Sequence, residues 1–257
     1  MDQQSVDVVI DNHHYTTDQL LMYDYQRQLH VLHQMTRLGA PVHHDGAALT
    51  HDDIDGLTHP QARALSIRAR QDHDIAGITA LYAAQLRTSD RMWKDINTAS
   101  GRAPLVSALV DVTIRGRHAG HLAGGARDIA DMGRNFVEFN ADHFAFAAEG
   151  ERTRVIETFG MYGGPTDSYI TVDPSVSVPV EPEAGYTVLT AGFTTLSSDG
   201  ADINVRALHQ IKRLADGLTI KLGAFFPAAT PAQILHGHQI HMALEVLFMV
   251  ARDGTFT

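Results

Sequence analysis

The chain has 257 residues, 20 Lys and Arg against 30 Asp and Glu, a formal net charge of −10 and no cysteine. That length suits one large domain or two small ones, and an apolar content of 44 % argues against a disordered chain. The acidic balance argues against nucleic acid and anionic membrane surfaces as partners, and the lack of Cys excludes disulfides, thiolate metal sites, Fe–S clusters and a Cys nucleophile.

The first hundred residues read as mostly helical. Thr16-Thr17-Asp18 offers N-cap chemistry before Leu20, Leu21, Tyr23, Leu29, Leu32 and Met35, and Gly39 closes that stretch. His43 to Leu57 reads as a polar loop, and His13-His14 and His43-His44 as solvated histidines at element edges. His59-Pro60 opens a second helical pattern that runs to Leu86. Near Ala103-Pro104 the texture changes: Leu105 to Ile114 reads as a strand, and Arg117 to Gly133 is rich in Gly and Ala without a clear period. Strand patterns then dominate. Arg152 to Phe159 and Tyr186 to Leu196 alternate. Ala215-Asp216-Gly217 separates Val205 to Leu214 from Leu218 to Phe226 as a short hairpin turn would. Thr230-Pro231 opens a last helix, which Asp253-Gly254 ends. The order predicts an α+β fold, with a helical N-terminal region over 1–100 and a curved antiparallel sheet around a long C-terminal helix over 101–257. Met1-Asp2-Gln3-Gln4 does not resemble a signal peptide and no run of eighteen apolar residues occurs, so the expected location is cytoplasmic.

Sixteen His against seven Glu is an unusual balance. It fits either a lineage bias or the use of imidazole in metal binding and acid–base chemistry. His241 and Glu245 are four apart and share one face of the last helix, with His238 on the same side. An imidazole and a carboxylate one turn apart can chelate a metal, although chance alone supplies about 0.4 such pairs in this composition. Glu157 shares a strand face with Val155 and Phe159, an apolar setting that calls for a metal or an ion pair with an Arg. His209 alternates with Val205, Ala207 and Ile211, so it points inward, as a core histidine or a catalytic one. His143 lies just upstream of Glu157, and His118 and His121 flank the Gly-rich stretch. No serine sits in a nucleophile elbow.

Tyr169 to Pro227, above all Leu208-His209-Gln210-Ile211-Lys212 through Leu222, resembles the 2,4-diacetylphloroglucinol hydrolase and phloretin hydrolase family. His241-Met242-Ala243-Leu244-Glu245 resembles its C-terminal His-x-x-x-Glu. The resemblance covers about a third of the chain. It implies a helix-grip (Bet v 1/START-like) fold and a Zn²⁺ ion held by His143, Glu157, His241 and Glu245, with His121 as the substitute for His143. It also implies hydrolysis of a carbon–carbon bond between an acyl group and a phenolic ring. His209 and Glu157 are then the catalytic candidates, His209 to position the phenol or move its proton. The family's Trp-rich stretch is missing, since Trp93 is the only Trp.

Three functions compete at this point: the zinc hydrolase, a metal-free helix-grip module for an apolar small molecule, and a non-haem iron oxygenase using two His and one carboxylate. Each expects a small-molecule partner, aromatic or polyketide-like for the hydrolase, with no nucleic acid and no membrane. A homodimer stays open, as does a lid role for the N-terminal helices.

Overall fold

The computed structural model describes residues 5–116 and 136–251. A hairpin, β1 (Ser5–Ile10) and β2 (His13–Tyr15), opens the chain. Asp11 and Asn12, at φ 50° and 65°, form its two-residue turn. Then come α1 (Thr17–Arg37), the small hairpin β3 (His43–His44) and β4 (Ala47–Ala48), α2 (His51–Asp55), α3 (His59–Gln71), α4 (Ile75–Leu81) and α5 (Ala83–Ser100). Thr16 caps α1 in a capping box with Gln19, as its sequence predicts. The single helical pattern expected from His59 to Leu86 is broken, because Asp74 accepts from the Gly77 N–H and starts α4 afresh.

The strands that follow are β5 (Val106–Arg115), β6 (His143–Glu149), β7 (Arg152–Glu157), β8 (Thr166–Val172), β9 (Thr187–Leu196), β10 (Asp202–Arg213) and β11 (Gly217–Phe226). The last helix is α6 (Ala232–Val250), with Pro231 rather than Thr230 at its N-cap. Nine strands form one antiparallel sheet in the order β2-β1-β5-β11-β10-β9-β8-β7-β6, and β3–β4 stands apart.

This architecture keeps the α+β class and corrects the helix-grip expectation. The sheet is open and runs nine strands, not a curved Bet v 1-like sheet gripping one helix. Residues 5–15, read as part of a helical region, are strands that extend the sheet beyond β5. Its inner face also packs more than the last helix. Val110, Val112, Ile220 and Leu222 bury against Leu244 and Leu247 of α6, and Trp93 and Ile96 of α5 join the same core. A second core, with Ile78, Tyr82, Phe144 and Ile156, fixes α4 against β6 and β7. These contacts bring the N-terminal helices to the β6 edge of the sheet.

Two glycines set how closely α6 approaches the short turn Phe159–Met161 that follows β7. A Cβ on Gly237 would lie 1.8 Å from the carbonyl oxygen of Gly160, and one on Gly160 would lie 2.0 Å from that of Ile234. Gly160 also has φ +62°, a left-handed conformation that favours glycine. This backbone crossing sits one helical turn before His241 and three residues after Glu157.

Candidate metal centre

β6, β7 and α6 each deliver polar side chains to one buried point. His143 opens β6 on a register shift between His143 and Ala145, an irregularity that re-aims a side chain. Glu157 ends β7 directly opposite it. His241 and Glu245 come from α6, one turn apart. His143 and His241 are each 1 % exposed and the Glu245 side chain 24 %. These three form a buried cluster able to coordinate a metal ion, with their ligand atoms within 4.8 Å of one another.

The separations are those of a coordination site. His143 Nε2 lies 3.0 Å from His241 Nε2 and 3.0 Å from Glu245 Oε1, and His241 Nε2 lies 3.4 Å from Glu245 Oε1. Glu157 Oε2 is farther out, 3.6 Å from His143 Nε2 and 3.8 Å from His241 Nε2. Four ligands around zinc at about 2.0–2.1 Å would stand about 3.3 Å apart.

The surroundings fix how the His143 imidazole presents itself, while His241 Nδ1 is buried without a hydrogen-bond partner. His143 Nδ1 lies 2.7 Å from the carbonyl oxygen of Phe136 and donates to it, so its Nε2 lone pair faces the cluster. The Phe136 ring stacks on the same imidazole at 3.8 Å between centroids. Asn140 Nδ2 donates to the carbonyl oxygen of His241 at 3.1 Å, tying the segment before His143 to α6. The His238 ring stacks on His241 at 5.0 Å and lies 5.7 Å from the Phe159 ring.

Electrostatics match two carboxylates and a shared cation. Burial alone would lower the His241 pKa, but Glu245 and Glu157 raise it to about 9. Burial raises the Glu157 carboxyl, with His241 and His143 pulling it down. Burial would also raise Glu245, yet the His241 and His143 imidazoles hold it well below the usual carboxylate range. Two imidazole nitrogens 3.0 Å apart, one with its lone pair turned inward, need a proton or a metal ion between them. The donor set therefore fits a divalent cation.

The structure brings together His143, Glu157, His241 and Glu245. His118 and His121 lie outside the described residues. Glu157 has imidazoles rather than an Arg as its charged neighbours, and Arg154 pairs with Asp167 instead. His209 does point inward, opposite Leu222 on β11. Burial lowers its pKa, while the Glu245 carboxylate and a backbone contact at Leu208 pull the other way. Sequence reasoning did not single out Phe136 or Asn140 as supports. The one available signal was the polar run Asn140-Ala141-Asp142-His143 immediately before an aromatic stretch.

No protein-family model matches the chain, and no curated protein matches it. The acylphenol substrate and the carbon–carbon cleavage implied by the resemblance thus find no support, and the open nine-stranded sheet excludes the helix-grip fold. What stands is the metal-binding cluster itself. No helix among the described residues is long and apolar enough to cross a membrane.

Proposed function

We propose that the protein is a zinc-dependent hydrolase whose cation is held by His143 Nε2, His241 Nε2 and Glu245 Oε1, with Glu157 beside the fourth position. The observation that carries this reading is the three-plus-one spacing: three ligand atoms at 3.0–3.4 Å and the Glu157 oxygen set back to 3.6–3.8 Å. Closed zinc sites with four equal protein ligands are structural, whereas three close ligands leave a place for water or substrate. Zinc bound there would polarise a carbonyl and lower the pKa of a water molecule.

The chain's own groups do the rest. Phe136 O holds the His143 imidazole in orientation, and Asn140 Nδ2 ties the His241 backbone carbonyl to the segment that carries His143. Glu157 Oε2 is placed to take the proton of an attacking water. His209, on the inner face of β10, is the group assigned to hold the substrate. The two His and one Glu would also suit ferrous iron, and oxygen consumption separates that reading from zinc hydrolysis.

The test is hydrolysis of a panel of activated esters and amides by the zinc-loaded chain. Turnover should vanish on chelation, return with zinc and be absent in Glu157→Gln. Equal turnover by the zinc-loaded, chelated and His241→Ala proteins would overturn the proposal, as would oxygen consumption by an iron-loaded chain.

A further inference from the structure

Residues 140–143 carry a metal ligand, yet they are held mainly by side chains from the N-terminal helices. Arg70, on α3, is 1 % exposed. Its Nη1 donates to the carbonyl oxygens of Asn140 at 2.7 Å and His143 at 2.5 Å, and its Nε donates to that of Ser66 at 3.1 Å. Arg27, on α1, grips the fully buried Asp142 carboxylate with two donors, Nε at 3.1 Å and Nη2. Arg63, also on α3, donates to the carbonyl oxygen of Glu138.

Arg70 is an expensive residue to place there. Among the described residues, no carboxylate lies within ion-pair distance of its guanidinium. Its partners are backbone carbonyls and, at 3.5 Å, the Gln28 amide oxygen. Burying a guanidinium costs several kcal/mol, and an apolar side chain of similar volume often stabilises a core as well or better. What a planar, fixed fork supplies and an apolar side chain cannot is a defined position for the two carbonyls it binds. Those carbonyls are the two ends of the four-residue segment that aims His143.

We infer that Arg70 is a positioning residue of the metal centre, fixing His143 through the backbone carbonyls at both ends of residues 140–143, so that the N-terminal helices are part of the machinery that builds the site. This rests on the metal reading above and deepens it. Arg70 touches no ligand atom. It acts through the backbone of His143, and the Arg27–Asp142 pair acts on the same segment.

The experiment uses the full, metal-free chain titrated with cobalt(II), whose visible spectrum reports coordination geometry. The variants are Arg70→Met, Arg70→Lys and Asp142→Asn, each checked for folding by circular dichroism. Arg70→Met should bind cobalt about 10–100-fold more weakly, the range seen when a group orienting a ligand is lost, and its visible band should change shape. Arg70→Lys, which keeps the charge and can donate to one carbonyl, should recover part of both. Should Arg70→Met fail to fold, Arg70→Lys and Asp142→Asn decide the matter by the same two readouts. Wild-type affinity and an unchanged band in the folded variants would overturn the inference while leaving the metal site intact. A wild-type chain that binds no cobalt would instead remove the metal reading, and this inference with it.

Discussion

His143 and Glu157 are cross-strand partners at the edge of the sheet, the first residue of β6 facing the last residue of β7. Their side chains converge to 3.6 Å between Nε2 and Oε2 in a place where His143 is 1 % and Glu157 7 % exposed. Directly opposed residues are the closest side-chain neighbours a sheet offers. α6 needs only to cross that pair to bring His241 and Glu245 into the same cluster.

Removing the carboxylate of that pair separates its possible roles. Glu157→Gln preserves shape and removes charge. Zinc should then bind more weakly, while hydrolysis falls much further than the occupancy of saturated enzyme does. Zinc affinity by competition with a chromophoric chelator, and turnover at saturating zinc, check both halves. Full activity in Glu157→Gln at saturating zinc would deny Glu157 its place beside the water.

The Gly160–Gly237 crossing predicts a coupled loss. In Gly237→Ala the new methyl meets the Gly160 carbonyl at 1.8 Å, and backbone cannot yield as a flexible side chain does. Overpacking of this kind costs about 1–3 kcal/mol or more. Because the crossing lies one turn from His241, zinc affinity should fall together with stability. Urea unfolding and zinc titration on the same variant test this, and a loss of stability with unchanged affinity would separate the crossing from the site.

Behind Glu157, Thr166 takes two buried partners. Trp93 Nε1 donates to its hydroxyl at 3.0 Å, and Ser89 Oγ lies 2.6 Å from it. Thr166 is also the residue paired with Glu157 across β7–β8. Thr166→Val keeps the volume and strands both partners, at about 1–3 kcal/mol for each. Denaturant unfolding should show that drop, whereas Thr166→Ser should retain most of the stability.

His30 on α1 gives a pH dependence with a defined sign. Burial, then the nearby Arg27 charge, lowers its pKa from 6.5 to about 4. Between those values the unfolded chain binds a proton that the folded chain refuses, so stability rises with pH across that window. The protein should lose stability as pH falls from about 6.5 towards 4. His30→Gln should lose less over the same range. Melting temperatures of both proteins at pH 7.5 and pH 5 provide the check, and equal losses would refute it.

Much of the sheet was legible because its strands alternate and its turns are punctuated. The β10–β11 hairpin around Ala215-Asp216-Gly217 is as its sequence predicts. The β1–β2 hairpin carried a comparable signal, apolar Val6, Val8 and Ile10 followed by Asp11-Asn12, but the strands are short and the strong helical period of α1 follows at once. Of the site, His241 and Glu245 were visible from helix spacing, and Glu157 from a carboxylate on an apolar strand face. His143 gave no periodic signal, because it sits on an irregular register between a helical turn and a strand. Arg70 was invisible for a different reason. Nothing in Arg68-Ala69-Arg70 tells which arginine is solvated, and only tertiary packing buries the second.

The most direct test of the metal centre is elemental mass spectrometry of the untagged chain, purified alongside His241→Ala. About one zinc per chain is expected in the wild type, with little or none in the variant. No metal in the wild type even after zinc is supplied, or equal zinc in both proteins, would contradict the site formed by His143, His241, Glu245 and Glu157.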